Sequence, residues 1–226
     1  MTDSRQEYSK TRCLDVSRDC LYAGELEQLR TTVDVLSELV ITDELTGLNN
    51  FRHFMYSIDV EMERTRRSGK PVSLVILDID NFKRTNDVLG HEFGNQVLVM
   101  VANVLKGALR KLDVPCRYGG EEFVIILPDT SLSSATALAD RLRDAVAATS
   151  TPSEDGPVTV TISCGVDVFG LNDTRTAREF IDAADRQLLR AKAGGKNRVC
   201  APADSALDTA VTPEERGALY GDDSQD

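Results

Sequence analysis

Apolar residues recur along the chain with two spacings, one typical of amphipathic helices and the other of buried strands. The helical spacing predicts helices at residues 22–40, 51–67, 94–110, 132–146 and 177–193. Short apolar runs bounded by turn residues predict strands at 72–79, 124–127, 157–169 and 198–200, with one more strand leading into the turn at Gly119-Gly120. After the first helix the order is α-β-α-β-β-α-β-α-β. This order favours a partly antiparallel mixed sheet with helices packed against it.

The first predicted helix carries an apolar seam at alternating steps of four and three residues. The seam consists of Tyr22, Leu26, Leu29, Val33, Leu36 and Val40. It lasts fewer than three heptads, so a coiled coil and an amphipathic helix folded back on its own domain both fit the pattern. Turn-forming residues follow at 42–50, where the helix should end. We therefore expect a helical stalk at residues 1–41 and one main domain at residues 42–200.

Composition indicates a folded, acidic protein. Of the 226 residues, 41% are hydrophobic and 28% are charged, and the formal net charge is −11. Such a surface repels polyanions, so we expect no general binding of nucleic acid. No apolar run has the length of a membrane span, the first residues lack a signal peptide's apolar core, and the five cysteines fit reduced thiols. These features predict a cytoplasmic protein, and the small polar residues at 201–226 predict a disordered acidic tail.

Two adjacent carboxylates, Glu121 and Glu122, stand beside two glycines in the segment Arg117-Tyr118-Gly119-Gly120-Glu121-Glu122-Phe123. The glycines permit a tight turn and an apolar run follows, so the carboxylates are expected at the tip of a hairpin. Charges this close repel each other unless they are solvated, protonated or bound to cations. The segment therefore suggests a site for metal ions and phosphate groups.

A second pair of carboxylates ends the first predicted strand. Side chains alternate along a strand, so Asp78 and Asp80 should leave on one face and Ile79 on the other. Asp78 together with Glu121 and Glu122 forms a suitable holder for one or two Mg²⁺ ions. Asp80 taken alone is interpreted as a solvated residue at the end of a strand.

Five short motifs follow one another between residues 43 and 200. They are Asp43-x-Leu45-Thr46-Gly47-Leu48-x-Asn50, Asp78-Ile79-Asp80-Asn81-Phe82-Lys83-x-x-Asn86-Asp87, Gly90-His91, the segment 117–123, and Lys192-x-x-Gly195-Lys196-Asn197. In their order and spacing they closely resemble the GGDEF family of diguanylate cyclases, in its GGEEF form. The resemblance implies an α/β (α+β) fold: a palm-like mixed sheet of the nucleotidyl-cyclase type, surrounded by helices and preceded by the helical stalk.

The resemblance also implies a reaction. The family condenses two GTP molecules into cyclic di-GMP and releases two pyrophosphates, and positioning and charge stabilisation supply most of such catalysis. By position, Asp78, the backbone carbonyl of Ile79 and Glu121 are implied to hold Mg²⁺, or alternatively Mn²⁺, with two ions per active site. Glu121 or Glu122 is implied to help deprotonate the attacking 3′-hydroxyl. The sequence leaves open which of the two does so.

Residues around these carboxylates are implied to bind the GTP phosphates. Lys83, Lys192 and Lys196 would stabilise the phosphate charge. The family usually has Arg at position 196, and Lys keeps the charge but loses the bidentate fork. An ordinary solvated lysine is the alternative, above all for Lys192. The other implied substrate-binding positions are Phe82, Gly119 and Gly120.

Guanine recognition falls to Asn86 and Asn95 by the same resemblance. The family usually has Asp at position 95. An aspartate accepts hydrogen bonds from both N1–H and the exocyclic amine of guanine, whereas an amide has one oxygen acceptor and adds a donor. Asn95 therefore weakens the expectation of strict guanine selectivity. The alternative role for Asn95 is to cap a helix ahead of Gln96-Val97-Leu98, and both roles can hold together.

Arg110 and Asp113 fit the family's R-x-x-D inhibitory site, just ahead of the segment 117–123. The guanidinium would bind a phosphate or guanine of the product, and the carboxylate would bind a guanine edge. The resemblance thus implies feedback inhibition by cyclic di-GMP.

Control of the implied activity depends on assembly. One domain binds one GTP whereas the product needs two, so two active sites must face each other in a homodimer or larger assembly. Fewer than 45 residues precede the main domain, so we expect a separate regulatory protein to dock on the stalk and order the dimer.

Two other functions compete with the cyclase. One is a non-catalytic receptor for cyclic di-GMP or GTP on the same fold, which the intact Asp78, Lys83 and glutamate pair disfavour. The other is a different nucleotidyl cyclase or polymerase-like enzyme, for which Asn95 leaves an opening.

Overall fold

The computed structural model describes residues 23–203. The helices are α1 (Ala23–Ile41), α2 (Phe51–Ser68), α3 (Phe82–Leu89), α4 (His91–Ala108), α5 (Leu132–Ala148) and α6 (Ala177–Ala193). The strands are β1 (Val72–Ile79), β2 (Val114–Gly119), β3 (Glu122–Leu127), β4 (Ser150–Ser153), β5 (Gly156–Thr159), β6 (Ile162–Phe169) and β7 (Val199–Cys200). The chain divides into two compact units between Ile41 and Thr42. No helix in the described range is long and apolar enough to cross a membrane.

A five-stranded sheet in the order β2-β3-β1-β6-β7 forms the centre of the second unit. Strand β1 lies in the middle and is antiparallel to both β3 and β6, whereas β7 is parallel to β6. Strands β4 and β5 form a separate two-stranded hairpin. The predicted fold class, a mixed and partly antiparallel sheet surrounded by helices, is confirmed.

Helices cover both faces of this sheet, so β1 is buried along its whole length. Val75 and Leu77 pack in a cluster with residues of α4 and α5. Leu74 and Ile76 point the other way and pack in a cluster with residues of α2 and α6. Burial on two sides explains the uninterrupted apolar run of this strand. The alternation then assigns Asp78 to the face covered by α2 and α6.

Helix α6 lies very close to the sheet at Gly165 of β6. A Cβ at this position would collide with backbone atoms of Ala184 and Leu188, so glycine is what permits the approach. Lys192 follows Leu188 by four residues and therefore lies one turn further along the same helix face. The close packing carries this lysine towards the end of β1.

The single strand predicted at residues 157–169 is wrong. Its first part is β5, which pairs with β4, and its second part is β6, which pairs with β1 and β7. The chain passes from one sheet to the other at Val160 and Thr161, where the carbonyl of Thr161 accepts a hydrogen bond from the Asp80 N–H at 2.8 Å. Apolar alternation is compatible with both sheets, so it does not reveal the break. Strand β4 is absent from the prediction.

The connection between β1 and α4 also differs from the prediction. Helix α3 is not predicted, and α4 begins at His91 and ends at Ala108 instead of spanning 94–110. Gly90, with φ 86°, separates the two helices. Gly94 lies inside α4, where a Cβ would overlap Oδ1 of Asn86. This glycine therefore permits close packing of α3 and α4 instead of forming a turn.

Helix α1 confirms the helix predicted at residues 22–40, shifted by one residue. Four residues of its apolar seam are more than half exposed: Leu26, Leu29, Val33 and Leu36. Tyr22 and residues 204–226 of the expected tail lie outside the described residues. The coiled coil stays a prediction.

Candidate active site

The turn between β2 and β3 brings the two glutamates beside the end of β1. Glu122, the first residue of β3, lies directly opposite Asp78 in the antiparallel ladder. The carbonyl of Glu121 accepts a hydrogen bond from the Ile79 N–H at 3.4 Å. Gly120 has φ 51°, a left-handed conformation that glycine adopts without strain. The predicted hairpin is confirmed, and it sets both glutamates next to Asp78.

The pKa of each of these three carboxyl groups is raised above its usual value. For Asp78, which is 5% exposed, burial is the main cause, and the ion pair with Lys192 opposes it. Burial also comes first for Glu121 and Glu122, and the negative charge of Asp78 adds to the rise in pKa of both. A cation bound among these groups relieves their repulsion and replaces lost hydration. The electrostatics of this corner therefore favour a metal ion.

Lys192 forms an ion pair with Asp78, with Nζ 2.8 Å from Oδ2. Its side chain is one-third exposed, so Lys192 links the buried Asp78 to the protein surface. The alternative that Lys192 is an ordinary solvated lysine is wrong. The physical reason is the close approach of α6 at Gly165, which a sequence pattern does not reveal.

Asp80 is also buried, with 5% of its surface exposed. Its Oδ1 accepts a hydrogen bond from Ser163 Oγ at 2.6 Å, and its Oδ2 accepts from Thr161 Oγ1 at 2.7 Å and from the Asn197 N–H at 3.0 Å. The interpretation of Asp80 as a solvated residue is wrong. The neighbouring strand and the loop after α6 supply donors that compensate for its burial.

The other two lysines differ in how they are held. Lys196 lies in the loop after α6, and its Nζ donates to Oδ1 of Asn81 at 2.5 Å. Lys83 lies in the first turn of α3 and is exposed. The structure thus brings Lys192 and Lys196 to the end of β1. For Lys83 it gives the position in α3 but no contact with the carboxylates.

The two asparagines expected to recognise guanine lie on neighbouring helices. Oδ1 of Asn86 is buried and has no hydrogen-bond partner among the described residues. An unpaired buried acceptor is costly, and this one packs against Gly94 at the contact between α3 and α4. Asn95 follows Gly94 in α4 and is partly exposed. The expectation that Asn95 caps a helix is wrong, because α4 begins at His91, a full turn earlier.

The remaining predicted substrate positions fall into two groups. Phe82 is 6% exposed and belongs to the core cluster, so its side chain packs in the core, and its role in substrate binding stays a prediction. Its ring packs below Gly94 and supports the helix next to Asn86. Gly119 and Gly120 are exposed, and a Cβ at either position would meet no atom within 4 Å. The turn therefore leaves space for a ligand beside its backbone.

Arg110 and Asp113 form a tight turn between α4 and β2. The Arg110 N–H donates to Oδ2 of Asp113 at 2.8 Å, and the Asp113 N–H donates to the Arg110 carbonyl at 3.1 Å. The Arg110 side chain is exposed. The two predicted inhibitory residues are therefore adjacent, with one carboxylate oxygen engaged in the turn.

Sequence reasoning missed a link between the start of the domain and the carboxylate turn. Arg117 contacts both carboxylate oxygens of Asp43 at 3.2 Å and donates to the Gly120 carbonyl at 3.1 and 2.8 Å. Asp43 also accepts from the Thr46 N–H at 2.8 Å. Burial raises the pKa of Asp43, but the hydrogen bonds with Thr46 and the interactions with Arg117 outweigh burial and leave the pKa below its usual value. The only indication of this link in the sequence is that Asp43 and Arg117, which belong to separate motifs, carry opposite charges. Nothing in the sequence places them together.

The groups that could hold a divalent cation are the carboxylates of Asp78 and Glu121 and the carbonyl of Ile79. Between residues 23 and 203, no three His, Cys, Asp or Glu side chains converge as a metal cage requires. Two carboxylates and one carbonyl leave coordination positions for water and phosphate oxygens, which is how Mg²⁺ commonly binds together with a nucleotide. The donor set therefore fits Mg²⁺ better than it fits a structural metal.

The sheet, the carboxylate turn and the adjacent lysines define a mixed α/β domain with an acidic site at one end of its central strand. The family model described as diguanylate cyclase, GGDEF domain, matches residues 40–198. The chain therefore belongs to the GGDEF family, and the predicted resemblance is confirmed.

Several relatives carry the same domain. The response regulator PleD of Caulobacter vibrioides is 42% identical over 176 residues, which are 76% of this chain and 38% of PleD. The diguanylate cyclase DgcP of Pseudomonas aeruginosa is 41% identical over 159 residues, which are 70% of this chain and 23% of DgcP. The chain thus spans less than half the length of either relative.

Solved structures agree with the fold. The coiled coil and GGDEF domain of DgcB from Caulobacter crescentus, in complex with c-di-GMP, superposes with a TM-score of 0.74 at 29% identity and covers 79% of this chain and 94% of that one. The diguanylate cyclase SiaD of Pseudomonas aeruginosa, in complex with its activator SiaC, superposes with a TM-score of 0.70 at 35% identity. That match covers 79% of this chain and 68% of SiaD.

Proposed function

We propose that this chain is a diguanylate cyclase, which joins two GTP molecules into cyclic di-GMP and releases two pyrophosphates. The observation that carries the proposal is the position of Glu122 opposite Asp78, with Lys192 2.8 Å from the same aspartate. Negative groups for a cation and positive groups for phosphates are thereby held at one point. Relatives named diguanylate cyclases support the same activity.

Substrate binding follows from the surroundings of this point. The side-chain amide of Asn86, a half-buried residue of α3, carries both a donor and an acceptor that suit a guanine edge. Lys192 and Lys196 present ammonium groups for the triphosphate, and the exposed Lys83 is suited to add a third. The open turn at Gly119-Gly120 lets the phosphates approach the backbone.

A divalent cation belongs to this proposal, held by Asp78, Glu121 and the Ile79 carbonyl. Mg²⁺, or Mn²⁺, with two ions per site, would supply charge neutralisation at the phosphates and would acidify the attacking hydroxyl. Glu121 or Glu122 then accepts the proton of the 3′-hydroxyl.

Assembly of two sites completes the proposal. One domain holds one GTP, so the active form is a homodimer or a larger assembly in which two carboxylate turns face each other. The exposed seam residues Leu26, Leu29, Val33 and Leu36 are suited to pair two stalks. SiaD was solved with its activator SiaC, and we extend this to a regulatory protein that docks on the stalk here. GTP as substrate is consistent with a bacterial cytoplasmic location.

Product inhibition is proposed at Arg110 and Asp113. The exposed guanidinium suits a phosphate of cyclic di-GMP, and the second carboxylate oxygen of Asp113 suits a guanine edge. DgcB was solved in complex with c-di-GMP, which supports the ligand class.

Identification of the product tests the proposed function. The purified chain is incubated with GTP and Mg²⁺, and the nucleotides are identified by mass spectrometry. We expect cyclic di-GMP from the wild type and from Asp59→Asn, an exposed carboxylate on α2, and none from Asp78→Asn. Tight binding of cyclic di-GMP without any turnover would instead favour a receptor.

A further inference from the structure

We propose that Asp80 is a positioning residue, which fixes the loop of Lys196 for binding of the GTP phosphates and does not bind the metal. The inference rests on the proposed function, because it concerns the same site. It assigns different roles to Asp78 and Asp80, two carboxylates that stand two positions apart at the end of the first predicted strand.

The hydrogen bonds of Asp80 commit both of its oxygens to the protein. Three donors surround it: the hydroxyls of Thr161 and Ser163 and the N–H of Asn197, all within 3.0 Å. With 5% of its surface exposed, the carboxylate has no open side for a hydrated cation. Asp78 is equally buried, but the partner described for it is one lysine whose side chain is one-third exposed.

The bond from Asn197 reaches beyond the β1–β6 pair into the loop after α6. Lys196 and Asn197 have φ angles of 64° and 43°, a left-handed conformation that costs about 1 kcal/mol per non-glycine residue. An ionised acceptor makes a stronger bond to a backbone N–H than a neutral one. Asp80 therefore stabilises a backbone conformation that this stretch of chain does not favour on its own.

This conformation sets the direction of the Lys196 side chain. Its ammonium donates to Oδ1 of Asn81, the residue that follows Asp80 in the chain. The loop is held a second time where the Arg198 carbonyl accepts from the Cys164 N–H at 2.9 Å. Lys196 is thus held in two ways near the end of β1. The N–H of the next residue, Asn197, binds Asp80, and the Lys196 ammonium binds Asn81.

Lys192 gives an internal comparison. It belongs to α6, and its contact with Asp78 depends on the packing of that helix at Gly165. None of its described contacts involves Asp80. Loss of the Asp80 charge should therefore disturb Lys196 and leave Lys192 in place. A lysine depends on such placement more than an arginine does, because it lacks a rigid fork of donors.

The test compares nucleotide binding by Asp80→Asn with binding by the wild type, in the full chain and with Mg²⁺ present. The probes are the non-cleavable GTP analogue with a methylene between its α- and β-phosphates, and GMP. We expect affinity for the analogue to fall about tenfold, the effect of one charged contact. Affinity for GMP should fall less, because GMP carries fewer phosphate charges for the Lys196 ammonium to bind. With GTP as substrate, KM should rise more than kcat falls.

A double-mutant cycle tests the route of the effect. In a Lys196→Ala background, Asp80→Asn should cause no further loss of analogue binding, whereas in a Lys192→Ala background its effect should be undiminished. Additive effects of Asp80→Asn and Lys196→Ala would overturn the inference. So would a loss of Mg²⁺ affinity as large as that of Asp78→Asn.

If Asp80→Asn does not fold, Thr161→Val takes its place. This change keeps the carboxylate and removes one donor from the oxygen that also binds Asn197. A smaller loss of analogue binding that disappears in the Lys196→Ala background supports the inference, and unchanged binding overturns it.

Product formation by the wild type is measured alongside. If the wild type makes cyclic di-GMP while Asp80→Asn binds the analogue normally, the inference fails and the proposed function stands. If the wild type binds the analogue and forms no product, the proposed function fails instead.

Discussion

Asp43 and Arg117 form a nearly symmetric ion pair, with one guanidinium nitrogen 3.2 Å from each carboxylate oxygen. The remaining nitrogens of Arg117 hold the carbonyl of Gly120. Asp43 follows the last residue of α1 by two positions in the sequence. The turn that carries Glu121 and Glu122 is therefore tied to the first residues of the domain through one side chain.

Replacing Arg117 by lysine should impair catalysis more than folding. Lysine keeps the charge but cannot bond Asp43 and the Gly120 carbonyl together. We expect kcat to fall about tenfold or more, because small displacements of catalytic groups are costly. The melting temperature should fall by about 2–4 °C. Initial rates at saturating GTP and thermal unfolding measure the two effects.

Arg175→Lys is the matched control for this prediction. Arg175 also bridges two carboxylates, those of Asp167 and Asp173, but it lies near the opposite end of β6 from the site. Its loss should lower the melting temperature and leave kcat unchanged. An Arg117→Lys enzyme as active as Arg175→Lys would contradict the proposed role of the link.

Stability should depend on pH and Mg²⁺ together. The pKa values of Asp78, Glu121 and Glu122 are raised, so their contribution to stability is present at low pH and is lost as pH rises through the raised values. A bound cation reverses this loss. We expect Mg²⁺ to raise the melting temperature more at about pH 7.5 than at about pH 5.

Asp78→Asn provides the comparison for the pH experiment. The lowered pKa values of Asp43 and Asp173 act in the opposite direction, with stability lost as pH falls, so the wild type and the variant are compared at each pH. The variant should lose the response to Mg²⁺ at both pH values. An equal Mg²⁺ response in the two proteins would exclude Asp78 as a metal ligand.

Asn95→Asp should improve recognition of guanine. A carboxylate accepts from both guanine donors, whereas the present amide offers one oxygen. We expect KM for GTP to fall about tenfold and the preference for GTP over inosine triphosphate, which lacks the exocyclic amine, to increase. Gln96→Glu adds the same charge at the next, exposed position of α4. Equal gains in both variants would attribute the effect to general electrostatics.

Arg110→Ala should abolish feedback inhibition by cyclic di-GMP. The exposed guanidinium is the only cation that the proposal assigns to the product. The inhibition constant should rise by about tenfold or more, with the uninhibited rate unchanged. Lys111→Ala, which removes the adjacent exposed cation, should remain inhibited. If cyclic di-GMP inhibited Arg110→Ala as strongly as the wild type, the inhibitory site would lie elsewhere.

The elements predicted correctly from the sequence are those whose pattern repeats over a long stretch. Strand β1 and helix α6 begin and end at or near the expected residues, because apolar burial on two faces or at helical spacing leaves an unambiguous signal. The carboxylate hairpin follows from the chemistry of Gly119-Gly120. The break at residues 160–161 and the short helix α3 leave no such signal, since tertiary pairing decides both.

In the candidate site, too, some features could be predicted from the sequence and others could not. Asp78, Glu121 and Glu122 were predicted because type and spacing already indicate a cation site. The burial of Asp80 and the link from Asp43 to Arg117 depend on contacts between distant segments. The hydroxyls that hold Asp80 come from Thr161, just before β6, and from Ser163 within it. Their partner becomes evident only in the folded chain.

The stoichiometry of GTP turnover tests the central claim most directly. Wild-type protein is incubated with GTP and Mg²⁺, and consumed GTP, cyclic di-GMP and pyrophosphate are quantified over time by anion-exchange chromatography. The account predicts that two GTP disappear and two pyrophosphates appear for each cyclic di-GMP, and that Glu121→Gln forms none. GTP loss without cyclic di-GMP, or equal product formation by Glu121→Gln, would contradict it.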